Sequence, residues 1–350
     1  MTVVNVDATK SYEVQIGSGL LPRLGQETAK VTKAQKIAIV SETNVWPLYG
    51  QAVEKSLENA GFETVHYVFP AGEVSKNGEN FLSLLNFLAE NHLTRSDALL
   101  ALGGGVVGDL TGFAAASYLR GVCYIQVPTT LLAAVDSSVG GKTAIDLPAG
   151  KNLAGAFYQP SLVLCDIDTL NTLPEDIFRD GCAEVIKYGI LYDAQLFSHL
   201  AENGLAFQRE QVIARCVELK RDVVNQDEFD RGARQKLNLG HTIGHGVEAQ
   251  SHFGISHGKA VAIGTAIVTR SAASLGICSK AVKEEVLSVL EKFSLPTKTT
   301  YSADQLYTSA LSDKKRSGGT VNLIVPETIG SCAIRPTPVE ELKAFIEMGL

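Results

Sequence analysis

The sequence predicts an α/β N-terminal, Rossmann-like domain with a parallel sheet, followed by a mainly α-helical C-terminal domain. With 350 residues, the chain is longer than one hydrophobic core usually serves. Up to about residue 170, β-rich apolar runs alternate with amphipathic segments, which is typical of a doubly wound sheet. After Pro174 the apolar residues follow helical spacing instead. We therefore expect two domains, at residues 1–172 and 173–350.

Short apolar runs in the first half predict the strands of the sheet. They lie at residues 36–40, 64–69, 98–102, 123–127 and 162–165. Amphipathic segments between them, with apolar residues three and four positions apart, predict helices. These lie at residues 45–60, 81–91 and 110–119. Because strands joined through helices need crossover connections, the strands should run parallel.

The second half is predicted to be helical, with one β interruption. Helical spacing occurs at residues 182–191, 211–224, 260–275 and 282–293. Near the end, the runs 321–325 and 332–335 flank a turn at Gly330 and predict a strand pair. The sequence shows no repeat or flexible linker, so we expect the two halves to pack directly on each other, with the reaction at their seam.

Composition narrows the functional class. Hydrophobic residues make up 45% of the chain and charged residues 20%, which is typical of a globular protein. A net charge of −7 without any Lys/Arg run argues against nucleic-acid binding. No apolar stretch is long enough to span a membrane, and the N-terminus lacks signal-peptide features, so we expect a cytoplasmic protein. Six scattered cysteines are interpreted as reduced core residues rather than nucleophiles or zinc ligands.

A glycine-rich segment joins a predicted strand to a predicted helix. Gly103, Gly105 and Gly108 satisfy G-x-G-x-x-G in this turn, where backbone N–H groups can approach a pyrophosphate. The motif alone is weak, because residues 125–128 offer no acidic ribose ligand at the usual spacing of about 20 residues. A structural turn without a ligand is the alternative.

A second glycine-containing segment, at residues 136–143, imitates a nucleotide-binding P-loop. Asp136 stands where the first glycine of that motif belongs, so the kinase interpretation fails. What remains is a glycine-flexible segment that presents Asp136 and Lys142, followed by Lys151 and Asn152. The alternative is a solvated loop whose charges point outward.

Four of the seven histidines fall between residues 241 and 257. On a helix, His241 and His245 would share one face, at a spacing able to hold a metal, although no H-E-x-x-H signature is present. Both could be ligands, or only one, or the histidines could be satisfied within a core. A catalytic zinc site usually includes a carboxylate, and the best candidate is Glu184 in an otherwise apolar segment. The alternative is an exposed or self-paired Glu184–Lys187 couple.

Seven segments, taken together and in order, resemble the 3-dehydroquinate synthase family along nearly the whole chain. They are Pro70-Ala-Gly-Glu-Val-Ser-Lys76, Gly103-Gly-Gly-Val-Val-Gly-Asp109, Val127-Pro-Thr-Thr130, the segment 136–146, Glu184-Val-Ile-Lys-Tyr-Gly189, Leu237-Asn-Leu-Gly-His-Thr242 and His257-Gly258. The resemblance implies that Glu184, His241 and His257 bind Zn²⁺ or Co²⁺. It implies that His245 contacts the substrate instead of the metal.

The resemblance also assigns cofactor and substrate residues, with the cofactor in the first domain. The implied NAD-binding residues are Glu73, Lys76, Gly105, Val106, Asp109, Thr129, Thr130, Lys142, Lys151, Thr169 and Thr172. The implied substrate-binding and catalytic residues are Arg120, Asp136, Lys142, Asn152, Lys187, Lys220, Arg234, Asn238, His245 and one or both of Lys314 and Lys315. Their many cations suit a substrate that carries both a phosphate and a carboxylate.

The activity that the resemblance implies is a lyase reaction of the shikimate pathway. In the family, 3-deoxy-D-arabino-heptulosonate 7-phosphate becomes 3-dehydroquinate and phosphate. NAD oxidises a ring alcohol, phosphate leaves, the ketone is reduced back, and an internal aldol step closes the carbocycle. Zinc would act as a Lewis acid and as an orienting template. A homodimer is implied by the resemblance alone.

Three positions depart from the family pattern. Asp176-Ile177 stands where Arg-Glu is common, Glu42 where Asp is usual, and Lys259 where Glu often follows His257-Gly258. The first two put the outer NAD contacts in question.

Several alternative functions fit the same sequence features. They are those of 2-deoxy-scyllo-inosose or epi-valiolone synthases, aminodehydroquinate synthases, a metal-dependent glycerol-dehydrogenase-type enzyme, and a non-catalytic NAD sensor.

Overall fold

The computed structural model describes residues 1–252, 254–314 and 319–350, and it describes the side chains of all of these except 310–314. The chain divides into two units. The first comprises Met1–Pro174 and Arg209–Phe229, and the second comprises Glu175–Gln208 and Asp230–Leu350. The expected boundary after residue 172 therefore lies close to the observed one. The segment Arg209–Phe229 differs, because it belongs to the first unit rather than to the C-terminal half.

The first unit is built on a seven-stranded sheet. Its strands and those of a separate hairpin are β1 (Thr2–Val6), β2 (Tyr12–Gly17), β3 (Lys36–Glu42), β4 (Glu63–Phe69), β5 (Ala98–Gly103), β6 (Cys123–Pro128), β7 (Lys142–Leu147), β8 (Gly150–Phe157) and β9 (Leu162–Asp166). The sheet order is β1-β2-β9-β6-β5-β3-β4, and only β1 and β2 pair antiparallel in it. The five predicted parallel strands are confirmed. The sequence did not predict β1, β2 or the antiparallel hairpin β7–β8.

Of the seven predicted helical segments, six begin two to seven residues earlier in the structure, and five end one or two residues earlier. They are α1 (Leu24–Val31), α2 (Trp46–Asn59), α3 (Gly78–Glu90), α4 (Gly105–Ser117), α5 (Glu175–Tyr192), α6 (Ala194–Asn203), α7 (Arg209–Gln226), α8 (His241–Gln250), α9 (His257–Ser274), α10 (Lys280–Lys292), α11 (Ala303–Lys314) and α12 (Val339–Gly349). Helix α7 packs on β1 and β2, which explains its place in the first unit. In the part of the chain that is described, no helix combines the length and the apolar character needed to cross a membrane.

Successive strand residues of the sheet are buried against opposite helical layers. Ile37 and Ile39 of β3 join the core cluster on one face, together with residues of α1 and α2. Ala38 and Val40 join the cluster on the other face, together with residues of α3 and α4. Because both faces are covered, the parallel strands appear in the sequence as continuous apolar runs. This arrangement confirms the predicted doubly wound α/β layer.

The second unit is mainly helical, as predicted. Its strands form a two-stranded antiparallel ribbon of β10 (Thr320–Thr328) and β11 (Ser331–Pro338). Helices α5 and α8 both pack against α9. Gly240, immediately before α8, has φ of 77°, and a Cβ there would lie 2.6 Å from the carbonyl oxygen of Val261. A glycine at this position lets α8 begin at His241 directly against α9.

Candidate metal centre and cofactor-binding residues

Three helices of the second unit each bring one ionisable side chain to the same place. Glu184 lies inside α5, His241 is the first residue of α8, and His257 is the first residue of α9. Their potential ligand atoms all lie within 4.8 Å of one another. The Nε2 atoms of His241 and His257 are each 3.5 Å from Glu184 Oε1. The structure thus brings together the three residues predicted to hold the metal.

The carboxylate at the centre of this cluster is buried in a way that fits a bound cation. Glu184 is 1% exposed and forms an ion pair with Lys187. Neither of its oxygens accepts a hydrogen bond of ordinary geometry from the residues that the structure describes. Lys187 pairs with Oε2, so a bound cation would complete the environment of Oε1, the oxygen that the two imidazoles face. One carboxylate and two imidazoles also form a typical three-ligand set for a catalytic Zn²⁺ with an open position.

The two imidazoles differ in protonation. Burial, reinforced by the positive charge of Lys187, holds the pKa of His241 well below its usual value. Burial also opposes protonation of His257, but the carboxylates of Glu184 and Glu248 outweigh it and raise the pKa of this imidazole to about 10. Because only the neutral imidazole binds a metal, metal binding is expected to release a proton from His257.

Each imidazole has an oxygen on its far side. His241 Nδ1 lies 3.0 Å from the carbonyl oxygen of Leu239, and His257 Nδ1 lies 3.6 Å from Glu248 Oε1. Glu248 is 3% exposed. Oxygens behind metal-binding histidines commonly orient the ring. Sequence reasoning missed Glu248, although its position seven residues after His241 on α8 is a signal that could have indicated it.

His245 lies one helical turn after His241, and the centres of the two rings are 5.6 Å apart. It forms a second group of potential ligand atoms with Glu248 and His257. It does not belong to the group that includes Glu184. This placement fits the predicted distinction between His245 and the metal ligands.

In the first unit, several predicted NAD and substrate residues form one cluster. Lys76 Nζ lies 2.5 Å from Asp109 Oδ2 and donates a hydrogen bond of 2.6 Å to Asn152 Oδ1. Lys151 Nζ lies 3.5 Å from Glu73 Oε1. Burial disfavours a charged Lys76, but the carboxylates of Asp109 and Glu73 outweigh it and raise the pKa of the ammonium. Lys76 is therefore held as an ammonium that is paired with Asp109.

The backbone of Asn152 is held in an unusual conformation by a residue that the sequence analysis gave no role. Asn152 has φ of 54°, in the left-handed region, and its N–H donates a hydrogen bond of 2.8 Å to Asp146 Oδ1. The sequence analysis interpreted the segment that presents Lys142, Lys151 and Asn152 as glycine-flexible, whereas these residues lie in the hairpin β7–β8. The hairpin fixes where Lys151 and Asn152 project.

Two further groups of predicted residues lie in the first unit. Lys220 of α7 forms an ion pair with Asp136 and donates a hydrogen bond of 2.7 Å to the carbonyl oxygen of Asp136. On another loop, the Tyr49 hydroxyl lies 3.1 Å from the Thr169 carbonyl oxygen and 2.5 Å from Thr172 Oγ1. Tyr49 was missed by the sequence analysis. It lies near the start of α2, where nothing in the pattern links it to residues 169–172.

The remaining predicted residues are placed individually. Gly105 is the first residue of α4, after β5, and Val106 follows it. Buried Thr129 and partly buried Thr130 follow β6, and Lys142 begins β7. Arg120 is exposed after α4, while in the second unit Arg234 is buried and Asn238 is exposed on the turn before α8. Lys314 and Lys315 lie outside the residues whose side chains the structure describes.

The departures from the family pattern also have defined positions. The Glu42 carboxylate, at the end of β3, accepts a hydrogen bond of 2.6 Å from the backbone N–H of Asn44. Asp176 and Ile177 lie in the first turn of α5 in the second unit. The backbone N–H of Lys259 donates a hydrogen bond to Asp180. At Glu42, the carboxylate is thus already used in a local turn.

The chain matches known proteins along nearly its whole length. Residues 66–180 match the model of the 3-dehydroquinate synthase N-terminal domain, and residues 181–316 match that of the C-terminal domain. A 3-dehydroquinate synthase of Enterococcus faecalis is 45% identical over 344 residues, which cover 97% of this chain and 96% of the relative.

Two solved structures are similar over the whole fold. A 2-deoxy-scyllo-inosose synthase, complexed with carbaglucose-6-phosphate, NAD⁺ and Co²⁺, superposes with a TM-score of 0.90 at 23% identity and full coverage of both chains. The 2-epi-5-epi-valiolone synthase of Streptomyces hygroscopicus, with NAD⁺ and Zn²⁺ bound, has a TM-score of 0.88 at 27% identity and covers 98% of each chain. Matches of both domain models and of a full-length relative at this identity establish that the chain belongs to the 3-dehydroquinate synthase family.

Proposed function

We propose that this chain converts 3-deoxy-D-arabino-heptulosonate 7-phosphate to 3-dehydroquinate and phosphate, as a carbon–oxygen lyase of aromatic amino acid biosynthesis. The observation that carries the proposal is the buried Glu184 carboxylate faced by two imidazoles, in a chain of this family. A non-catalytic NAD sensor would have no need of such a ligand set.

The metal-binding residues of this proposal are Glu184, His241 and His257, which would hold Zn²⁺ or Co²⁺. When bound, the ion supplies a Lewis acid for a substrate oxygen. The hydrogen bond between His241 Nδ1 and the Leu239 carbonyl oxygen keeps Nε2 directed toward Glu184. Lys187, paired with Glu184, provides a fixed positive charge beside the ligands. That charge favours an anionic oxygen of the substrate at this position.

The proposed NAD-binding residues lie in the first unit. NAD, when bound, supplies a hydride acceptor and donor for the ring alcohol. Gly105 opens α4, so the backbone N–H groups of the first turn can bind the pyrophosphate. A Cβ at Gly105 would lie 3.2 Å from Ser137 Oγ, which leaves little space for a larger residue. Thr169 and Thr172, held through Tyr49, would contact the adenosine side.

The substrate would be bound through its two anionic groups. In the first unit, the proposed donors to its phosphate and carboxylate are Lys142, Asn152 and Lys220. In the second unit, they are Lys187, Arg234 and His245. Charge-assisted bonds to ionised oxygens are shorter and stronger than neutral ones, which favours this substrate over a neutral polyol. Asp136 keeps Lys220 in a fixed position before the substrate binds, and Asp109 does the same for Lys76 of the proposed NAD site.

We further propose a cytoplasmic homodimer that acts without nucleic-acid or membrane partners. All six cysteines are free thiols, which is typical of proteins in a reducing compartment. The family resemblance supports the dimer. Size-exclusion chromatography with light scattering tests it, since a mass of one chain at micromolar concentration would contradict it.

The function is tested by phosphate release from a panel of substrates. The purified protein receives NAD, Zn²⁺ and either the heptulosonate 7-phosphate, glucose 6-phosphate, or a heptulose 7-phosphate without a carboxylate. We expect release with the first substrate alone. Release mainly from one of the others would identify a different sugar phosphate cyclase. Oxidation of glycerol without phosphate release would identify a dehydrogenase.

A further inference from the structure

The carboxylate of Asp180 connects two helices that carry proposed metal ligands. Asp180 lies on α5, four residues before Glu184, and its Oδ1 reaches the start of α9. There it accepts a hydrogen bond of 2.9 Å from the backbone N–H of Lys259 and one of 2.5 Å from Ser256 Oγ. The residues enclosed between these two contacts along the chain are His257 and Gly258.

Asp180 takes over the capping role at the N-terminus of α9. The first N–H groups of a helix have no partner within the helix, and the side chain of the N-cap residue usually accepts from one of them. Ser256 is the N-cap residue of α9, but its side chain makes no such bond and donates to Asp180 instead. The cap therefore comes from α5, and it ties the first turn of α9 to that helix.

The backbones of the two helices also touch at this point. A Cβ at Gly258 would lie 1.9 Å from the carbonyl oxygen of Asp180, so only glycine permits the approach. His257 thus lies between Ser256, whose side chain donates to Asp180, and Gly258, whose backbone packs on α5. The next residue, Lys259, also donates to Asp180. This joint fixes the helix that carries His257 relative to the helix that carries Glu184.

We propose that Asp180 is a positioning residue that sets the spacing between the metal ligands Glu184 and His257. It does not contact the metal or the substrate; it acts through the start of α9. The inference rests on the metal site of the proposed function and names a residue that the family resemblance did not assign. Loss of an outer partner of a metal ligand typically weakens metal binding about 10- to 100-fold.

The test is Zn²⁺ affinity of the metal-free protein, measured by competition with a chromophoric chelator, for Asp180→Ala and Asp180→Asn. Both donors use the same oxygen, so the single carbonyl oxygen of asparagine can accept both, and alanine can accept neither. We expect Asp180→Ala to bind Zn²⁺ about tenfold more weakly or worse. Asp180→Asn should stay within about threefold of the parent, because asparagine caps helices as well as aspartate does.

One further variant and one further measurement extend the series. Ser256→Ala removes one of the two bonds and should give an intermediate affinity, which keeps the test decisive if Asp180→Ala fails to fold. The absorption spectrum of the Co²⁺-loaded protein should change in Asp180→Ala and remain parental in Asp180→Asn. A spectrum and an affinity that are parental in all three variants would overturn the proposal.

Asp193→Ala is the matched control, because Asp193 caps α6 by accepting from the N–H groups of Gln195 and Leu196, both at 2.9 Å. It should lower the melting temperature of the apoprotein about as much as Asp180→Ala and leave Zn²⁺ affinity unchanged. An equal loss of affinity in both would show a general stability effect and overturn the proposal. Glu184→Gln separates the two claims. If it binds Zn²⁺ like the parent, the metal site itself is wrong; if only Asp180→Ala is parental, the positioning role alone is wrong.

Discussion

Lysine–carboxylate pairs occur in both units but, among the residues that the structure describes, only the second unit adds imidazoles to one of them. In the first, three lysines predicted to bind cofactor or substrate are already paired with carboxylates, as Lys76–Asp109, Lys151–Glu73 and Lys220–Asp136. In the second, the buried carboxylate of Glu184 is paired with Lys187 and is also faced by two imidazoles, whose Nε2 atoms are 3.5 Å from Oε1. An anionic ligand must therefore compete with carboxylates in the first unit, whereas a cation would complete a ligand set in the second.

The largest effect is expected from removing the central carboxylate of the second unit. Glu184→Gln replaces a charged ligand with a neutral amide and leaves two imidazoles, so Zn²⁺ binding and turnover should fall on the order of a thousandfold or more. NAD affinity should stay parental because the proposed NAD residues lie in the first unit. Elemental analysis and phosphate release measure the loss. A variant that retains about one Zn²⁺ per chain would contradict the ligand assignment.

A smaller effect is expected from breaking a lysine–carboxylate pair of the first unit. Asp109→Asn leaves the Lys76 ammonium buried with fewer partners and should lower the free energy of unfolding by about 1–3 kcal/mol, less than for a fully buried pair. The double variant Lys76→Met/Asp109→Leu should regain that stability, because an apolar pair can replace a buried ion pair.

NAD affinity should show whether the Lys76–Asp109 pair contributes to the cofactor site or only to stability. The double variant lacks the Lys76 ammonium, so its NAD affinity should remain reduced even where urea unfolding shows recovered stability. Calorimetric titration with NAD makes the measurement. Parental NAD affinity in the stable double variant would show that the pair is structural and does not contribute to the cofactor site.

The smallest effect is expected from changing Glu248, whose carboxylate lies next to the proposed metal ligand His257. Glu248→Gln keeps the size of the side chain and removes the negative charge 3.6 Å from His257 Nδ1, so Zn²⁺ binding should weaken by about tenfold. Glu175→Gln, in the exposed first turn of α5, is the matched control and should bind Zn²⁺ like the parent. Equal affinities in the two variants would leave Glu248 without an orienting role.

The fold was predictable where burial alone shapes the sequence. Strands such as β3 and β5 are covered on both faces and form continuous apolar runs. The hairpin β7–β8 was missed because its glycines and exposed polar residues resemble a loop. Helix α7 was assigned to the wrong half, since helical spacing shows that one face is apolar but not which element covers it.

The candidate site was only partly readable from residue patterns. Spacing along one helix favoured His241 and His245 as a pair, whereas the structure brings His257 to Glu184 from the start of a different helix. Local spacing cannot show contacts between helices distant in sequence, and only the resemblance indicated this set. Asp180 and Glu248 were missed for the same reason. Each one reaches the start of α9 through a contact between different helices.

In a cyclising lyase of this kind, every hydride that NAD removes from the substrate is returned to it. The most direct test supplies substoichiometric NAD, Zn²⁺ and excess 3-deoxy-arabino-heptulosonate 7-phosphate, and follows phosphate release and NADH absorbance together. We expect many phosphates to be released per NAD, with no net NADH. NADH that accumulates in proportion to product and stops when NAD is exhausted would contradict this expectation and identify a dehydrogenase.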